Sequence, residues 1–385
     1  MRRIILQPLL AVLLCMNANA QINSGSNGSD GAFNPATSVV INMADHTNGI
    51  YQYTSVTISN GITVKFTPNA NNTPVTWLVQ SNVVINGVVD VSGQPSYQYP
   101  STISGIGGVG GGAGGGGGSN PSFGQGLGGG SSGSGAAGGG SFGTQGSEGS
   151  GQTYGNSFLI PLIGGSGGGG VSELYINGGI RPSGGGGGGG GAILIAASNF
   201  ITINAGGNIS ANGGNAGYGG GGSGGGIRLF TATLTGAGGI YAIGGGGGGS
   251  GRVRIDALQN NFSGTINGVF TQGFQPIIIP VAGQGVQLSI ASVAGAAVSS
   301  TPNGQLLSPD AIISGQQANP IPVVVSCANL PLHTLITVTV KPASGASVSA
   351  VGYNTTGTLA SSTATVSLTM PRGGGIIYAT AATSN

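Results

Sequence analysis

The sequence predicts an all-β protein: a parallel β-helix (solenoid) whose coils are joined by polyglycine segments, followed by an immunoglobulin-like β-sandwich. Three observations lead there. Apolar and polar residues alternate in short stretches that recur and can be laid over one another. Residues 105–251 hold 64 of the 85 glycines, and these runs fall between the alternating stretches rather than inside them. Beyond residue 275 the composition returns to Val, Thr, Ser and Ala, with turn signals between short apolar pieces.

The repeat is carried by "GAILIAASNF" from Gly191, "GIRLFTATL" from Gly226 and "GRVRIDALQNNF" from Gly251. Superposed, Ile193, Ile195 and Ala197 align with Ile227, Leu229 and Thr231, and with Val253, Ile255 and Ala257, at spacings of 34 and 26 residues. Leu194, Arg228 and Arg254, then Ala196, Phe230 and Asp256, fall on the other face. Ile195→Asp should therefore collapse the core, and Leu194→Asp, on the outward face, should be mild. Each stretch leads through a glycine corner into a second short alternating piece, as in "FITINAGGNISANGG" and "TLTGAGGIYAIGG". "VVINGVVDVSG" at 83–93 and "VTISNGITVKF" at 56–66 have the same form. Recurrence at this spacing suits a solenoid. Hairpins at Asn60-Gly61 and Asn86-Gly87 are the alternative, because Asn-Gly is also a hairpin-turn dipeptide.

The glycine runs at 105–118, 124–155, 164–170, 184–191, 219–226 and 244–249 have two readings. They are loose loops, which the entropy of ordering glycine favours. Or they are extended threefold segments packed side by side as a polyglycine II bundle, which needs no side-chain room. Their recurrence at similar places favours the bundle, and Gly140, Gly143, Gly146 and Gly149 keep a local period of three.

The domains follow from composition. Residues 1–20 read as a signal peptide: Arg2 and Arg3, an apolar run Ile4–Leu14, and Ala18-Asn19-Ala20 before the cut. Leu14 is too large for lipoprotein cleavage before Cys15. Residues 21–274 form the glycine-rich β-helix domain and 275–385 the sandwich. Its candidate strands lie around "GVQLSIASV", "DAIISG", "IPVVVSCANL", "LITVTVKP", "SVSAVGY", "TATVSLTM" and "GIIYATAAT". Such a domain could cover the open last coil of the solenoid. Cleavage leaves Cys327 alone; a buried thiol is the plain reading, an intermolecular bridge the sharper one.

Charge excludes several functions. Removing Arg2 and Arg3 leaves seven basic residues against seven acidic. Nucleic acid and anionic membranes need clustered Lys and Arg, so neither is an expected partner. No segment of the mature chain is apolar enough to span a bilayer.

No catalytic, cofactor or metal residue can be assigned, and no cofactor is expected. The carboxylates are Asp30, Asp45, Asp90, Glu148, Glu173, Asp256 and Asp310. A glycosidase needs two held roughly 5–10 Å apart, and only Asp30 and Asp45 are close in sequence. Asp90 and Asp256 sit at outward strand positions, where a solvated charge or a partner for Lys65 or Arg254 is the ordinary account. Arg228 and Arg254 on that face read as solubilising decoration. His46 and His333 lie near turns as exposed loop histidines. "NGSDG" at Asn27–Gly31 offers calcium a single carboxylate. The many G-x-G-x-x-G matches carry no nucleotide signal, since any polyglycine run contains them.

"SDGAFNP" (29–35), "NTPVTWLVQSNVVINGVVDVSGQ" (72–94), the polyglycine runs and "GGGGSGRVRIDA" (246–257) resemble a group of secreted glycine-rich proteins of soil and aquatic bacteria. The resemblance implies export and a β-helix-like fold, and no enzymatic activity. The runs are also similar in kind to the glycine-helix bundles of springtail antifreeze proteins and phage tail adhesins. The expected function is a non-catalytic secreted or cell-surface structural or adhesive protein, not an enzyme, whose partner is an extracellular polymer or surface, or itself. The alternatives are a polysaccharide-binding module with aromatics such as Trp77, Tyr97 and Tyr154 along a groove, although Trp77 in "PVTWLVQ" reads more plainly as core, then an ice-binding protein, and last a polysaccharide-active enzyme.

Overall fold

The computed structural model describes residues 22–96, 103–176, 179–181, 183–274, 286–299, 302, 309–342, 346–373 and 375–382. The expected signal peptide at 1–20 and the residues just after the expected boundary, 275–285, lie outside the described residues. The described chain is all-β, apart from one 3-10 turn at Met43–Asp45.

Two parallel sheets are built from strands that alternate along the chain. The nine-stranded sheet runs Ala32–Phe33, Ser55–Ile58, Val83–Ile85, Ala192–Ile203, Gly226–Gly236, Arg252–Phe262 and Val269–Gly273, with Ile50–Tyr53 and Val75–Val79 extending it beside Ala192–Ile203. The six-stranded sheet runs Val39–Asn42, Thr63–Thr67, Val88–Asp90, Asn208–Ser210, Gly239–Tyr241 and Thr265–Asn267. The repeat alignment is the register: Ile193, Ile195 and Ala197 pair with Ile227, Leu229 and Thr231, which pair with Val253, Ile255 and Ala257. The Asn-Gly dipeptides are corners, not hairpins. Asn60-Gly61 passes the chain from Ser55–Ile58 in one sheet to Thr63–Thr67 in the other, and both strands pair in parallel with later ones.

Between the sheets lies one apolar core. Ile193, Ile195, Ile227, Leu229, Val253 and Ile255 meet Val64, Val89, Ile209 and Ile240 from the other sheet. Full burial of one such side chain stabilises by about 1.5–3 kcal/mol. Near the first strands the core is aromatic: Trp77 is surrounded by Phe33, Tyr53 and Phe66 at centroid distances of 5.7, 5.9 and 6.0 Å. His46 stacks on Tyr51 at 4.1 Å.

The other face of the nine-stranded sheet is also covered, which corrects the outward assignment of Leu194. Leu78, Leu194, Ala196 and Phe230 form a second buried cluster, against which Ile22, Ile50 and Leu162 pack. The segment around 154–162 is fastened over this face. Arg252 donates to the Tyr154 carbonyl at 3.0 Å, Thr271 donates to the Ser157 carbonyl at 2.7 Å, and Leu162 inserts its side chain. A strict period of two marks which residues share a face, but not whether another segment lies on that face. Leu194→Asp is therefore expected to destabilise by several kcal/mol, as Ile195→Asp does, because both bury an unpaired charge. Urea titration followed by the fluorescence of Trp77, the only tryptophan, checks it; a near wild-type midpoint for Leu194→Asp would contradict the covered face.

The glycine runs are laterally hydrogen-bonded extended segments. Run 184–191 shows the pattern. Gly186 and Gly189 donate to Gly115 and Gly112, Gly187 and Gly190 to Gly220 and Ser223, and Gly188 and Gly191 to Gln94 and Val91. Carbonyls follow the same period: Gly105 and Gly108 donate to Gly186 and Gly189, Gly168 and Gly165 to Gly187 and Gly190, and Gly214 to Gly188. One run thus has six neighbouring segments, five of them met twice at a spacing of three residues, as a threefold extended helix requires. Every residue of 164–170, 184–191 and 220–226 is buried. A side chain has no place there: a Cβ on Gly186, Gly187, Gly188 or Gly190 would overlap the carbonyl of Gly168, Gly214, Ile106 or Ala211. Residues 92–191 are an excursion between adjacent strands, since Val75–Val79 pairs directly with residues 193–197. That excursion supplies runs 105–118, 124–130 and 164–170 to the lattice, and later connections supply 211–225 and 244–251.

Residues 286–382 form an antiparallel arrangement in the order Ala296–Ala297, Gln287–Val293, Ile321–Ala328, Ser362–Leu368, Val348–Gly357, Leu335–Pro342, Gly375–Ala382. Val348–Gly357 changes partner along its length. Val348–Tyr353 pairs with Leu335–Val340, and Asn354–Gly357 with Ser362–Ala364. Val323, Val325 and Val366 from one half share a core with Ile336, Val338 and Val340 from the other. Asn354, wholly buried at the change of partner, accepts from the Thr334 amide at 2.7 Å and donates to Pro331 and Ser362 at 2.9 and 3.0 Å. The segment "DAIISG" is not a strand. Ile313 touches the core while Ile312 is exposed, and the chain turns at Ser314–Gln317 instead of joining a ladder. Cys327 is buried in this core, and burial pushes its thiol up from the ordinary value. The native protein should resist a bulky disulfide reagent such as Ellman's that labels it fully in urea; equal labelling rates would contradict this burial.

Candidate functional site

Asp30 and Asp45 share a neighbourhood around Tyr51, and the other carboxylates lie elsewhere. Asp30 lies 3.5 Å from His46 Nε2 and accepts from the Gln52 amide at 2.6 Å. Lys65 and Asp90 pair at 3.6 Å across adjacent strands. Glu148 and Glu173 are exposed in separate loops, and Asp310 lies in the C-terminal region. His333 is exposed, with φ of 63°. His46 is not an exposed loop histidine: it is half-buried, its ring covering Tyr51 at one end of the core. Burial, then the fields of Asp45 and Asp30, push the Tyr51 phenol up to about 12. It is therefore neutral at physiological pH and suited to packing rather than proton transfer. Among the described residues, no group of three or more His, Cys, Asp or Glu side chains could hold a metal ion.

The strongest electrostatic feature is one the sequence reading placed in solvent. Asp256 is wholly buried between Arg228 and Arg254. Arg228 donates through Nε and NH2 to Oδ2, both at 3.0 Å, and Arg254 through Nε to Oδ1 at 2.9 Å and NH2 to Oδ1 at 2.6 Å. Arg254 also lies over the Phe158 ring at 5.3 Å. The two arginines are register partners on neighbouring strands, and Asp256 is two residues from Arg254 on the same face. Of the two accounts of Asp256, a partner for Arg254 holds and a solvated charge does not, and the buried network replaces the reading of Arg228 and Arg254 as solubilising decoration. The alignment already held the signal: Arg228, Arg254 and Asp256 share one face of two adjacent strands. Its chemistry is to staple strands and the covering segment.

Of the aromatic residues named for a groove, the two described ones, Trp77 and Tyr154, are packed inside the fold. Trp77 is in the core, and Tyr97 lies outside the described residues. Tyr154 packs on Phe142 at 4.8 Å, and its hydroxyl donates to the Gly164 carbonyl at 2.7 Å and bonds Ser166 at 2.9 Å. Desolvation pushes that phenol well above its ordinary value.

What remains as a candidate surface is the outer face of the six-stranded sheet. Its register rows read Val40, Lys65, Asp90, Ser210, Tyr241, Asn267 and Thr63, Val88, Asn208, Gly239, Thr265. Inward residues alternate with these, so the face presents hydroxyls, amides and one ion pair. The Tyr241 ring lies across Gly239, and a Cβ there would make the ring swing aside. With six strands about 4.8 Å apart the face extends ~24 Å along the stack. It can offer hydrogen bonds to an extended neutral polymer. Among the described residues no helix is long and apolar enough to cross a membrane. No known protein family, curated protein or solved structure matches this chain.

Proposed function

We propose that this chain is a non-catalytic secreted or cell-surface structural protein, adhesive through its neutral faces. Its two parallel sheets read as a β-helix solenoid, its glycine runs as a polyglycine II bundle along one side of that solenoid, and its C-terminal residues as an immunoglobulin-like sandwich. The observation that carries this reading is the lattice around 184–191, where six neighbouring segments bond one run, five of them at a spacing of three residues. A chain that orders so many glycines accepts a large entropy cost for rigidity. Rigidity of this kind suits a scaffold. Fractionating the native host, with protease shaving of intact cells, tests it. Recovery at the surface or in the medium supports the proposal, and recovery only as soluble periplasmic protein ends it.

A polysaccharide-binding role is the second reading, favoured by the polar outer face of the six-stranded sheet. Saturable, salt-resistant retention on a neutral polysaccharide, lost on Tyr241→Ala, would support it. Ice binding is favoured less. The rows of that face mix Lys, Asp, Tyr and Val, and present no regular threonine ladder.

A further inference from the structure

The C-terminal strand order leaves two edges open onto one cleft. Gly375–Ala382 stands last in the order, bonded along one edge to Leu335–Pro342; among the described residues nothing pairs with its other edge. At the opposite end, Gln287–Val293 is bonded to Ile321–Ala328, and its second edge carries only Ala296–Ala297, opposite Ser292 and Val293. Between these edges lies a cleft of about 1120 Å³, with Leu288, Ile290, Ile313, Met370, Ile377 and Ala379 on its walls. Ile377, Ala379 and Ala381 pack on the core yet remain half-exposed, whereas Ile336, Val338 and Val340 on the neighbouring strand are fully buried. The core is less covered along Gly375–Ala382 than along the neighbouring strand.

We propose that this cleft receives an extended strand from a partner polypeptide, a strand without charge and with apolar residues at alternate positions. An edge that no described residue pairs with calls for a peptide, because a strand edge's amides and carbonyls are matched by another strand. The alternation follows from the strand period: every second side chain would point at Ile377 and Ala379, and the rest away. The neutrality follows from the walls, which carry one acidic and one basic residue, Asp310 and Arg372. An eight-residue edge such as Gly375–Ala382 offers about 26 Å of ladder. This role stands on the C-terminal geometry alone and goes beyond the scaffold reading.

Fluorescence anisotropy on the full chain tests it with a labelled Thr-Val-Thr-Val-Thr-Val-Thr peptide. Two comparators share its length: an all-threonine peptide, and one N-methylated at the amides of one edge. The first peptide should bind saturably, and each comparator should bind at least about tenfold more weakly. Ala379→Lys should abolish binding, while Val351→Lys, at an exposed position, should keep it. Unchanged thermal melting of both variants shows that they fold. Absence of saturable binding, or equal binding of the N-methylated peptide, overturns the proposal whatever the variants do. Self-association of the chain that the peptide competes away overturns the assignment to a separate partner and puts a second copy in the cleft.

Discussion

Gly187→Val should destabilise the glycine-rich region by about 4 kcal/mol or prevent its folding, although it replaces one residue within an eight-glycine run. The added Cβ would overlap the Gly214 carbonyl and stand 3.0 Å from that of Asn215. The neighbours are backbone, not side-chain ends that can swing away. Relief means separating segments, which strands buried amides and carbonyls at about 1–3 kcal/mol each, in addition to the strain of overpacking. The same composition supplies the control. At Gly246 a Cβ would meet only the Asn215 side chain, at 3.9 Å, so Gly246→Ala should fall within about 0.5 kcal/mol of wild type. A single glycine inserted within 184–191 should be as damaging as the valine, because it turns each later amide toward the wrong neighbour. Three inserted residues keep the phase and should be milder at the end of the run. Urea midpoints read by Trp77 fluorescence separate these cases; equal midpoints for Gly187→Val and Gly246→Ala would show that the runs are loops.

Asp256→Asn should be the most damaging of the carboxylate substitutions, at about 3–5 kcal/mol. The carboxylate is shared by two buried guanidinium groups, and losing its charge leaves them facing each other across neighbouring strands. Asp90→Asn, in a half-exposed pair with Lys65, should cost no more than about 1 kcal/mol. Replacing Arg228, Asp256 and Arg254 together by Met, Leu and Met should recover much of the loss, since buried ion networks can be exchanged for packed apolar groups. The denaturation midpoints of the four proteins decide it. A benign Asp256→Asn would mean that the network does not hold this face.

The legible part of the fold was the part with a period. Ile193, Ile227 and Val253 aligned because inward positions pair in register from strand to parallel strand. Glycine between coils was equally visible, yet its order was not. An all-glycine run has no side-chain pattern, and its six partners come from segments up to about a hundred residues away. The covered face was hidden for another reason: Leu194 and Asp256 alternate as surface residues would, and segments distant in sequence, around Ile22 and at 154–162, lie over that face. "DAIISG" failed as a strand because two adjacent isoleucines do not specify a ladder partner. Asn354 was unremarkable in sequence, and acquires meaning only where Val348–Gly357 changes partner.

Amide hydrogen exchange at residues 184–191 of the wild-type protein tests the lattice most directly. The amides of Gly186 through Gly191 each donate to a neighbouring backbone carbonyl in a buried environment, so they should exchange as slowly as those of Ile193 and Ile195 in the adjoining strand. The amide of exposed Gly247 should exchange far faster. Exchange across 184–191 at the rate of an unstructured glycine peptide would contradict the ordered bundle, and with it the reading of this protein as a rigid scaffold.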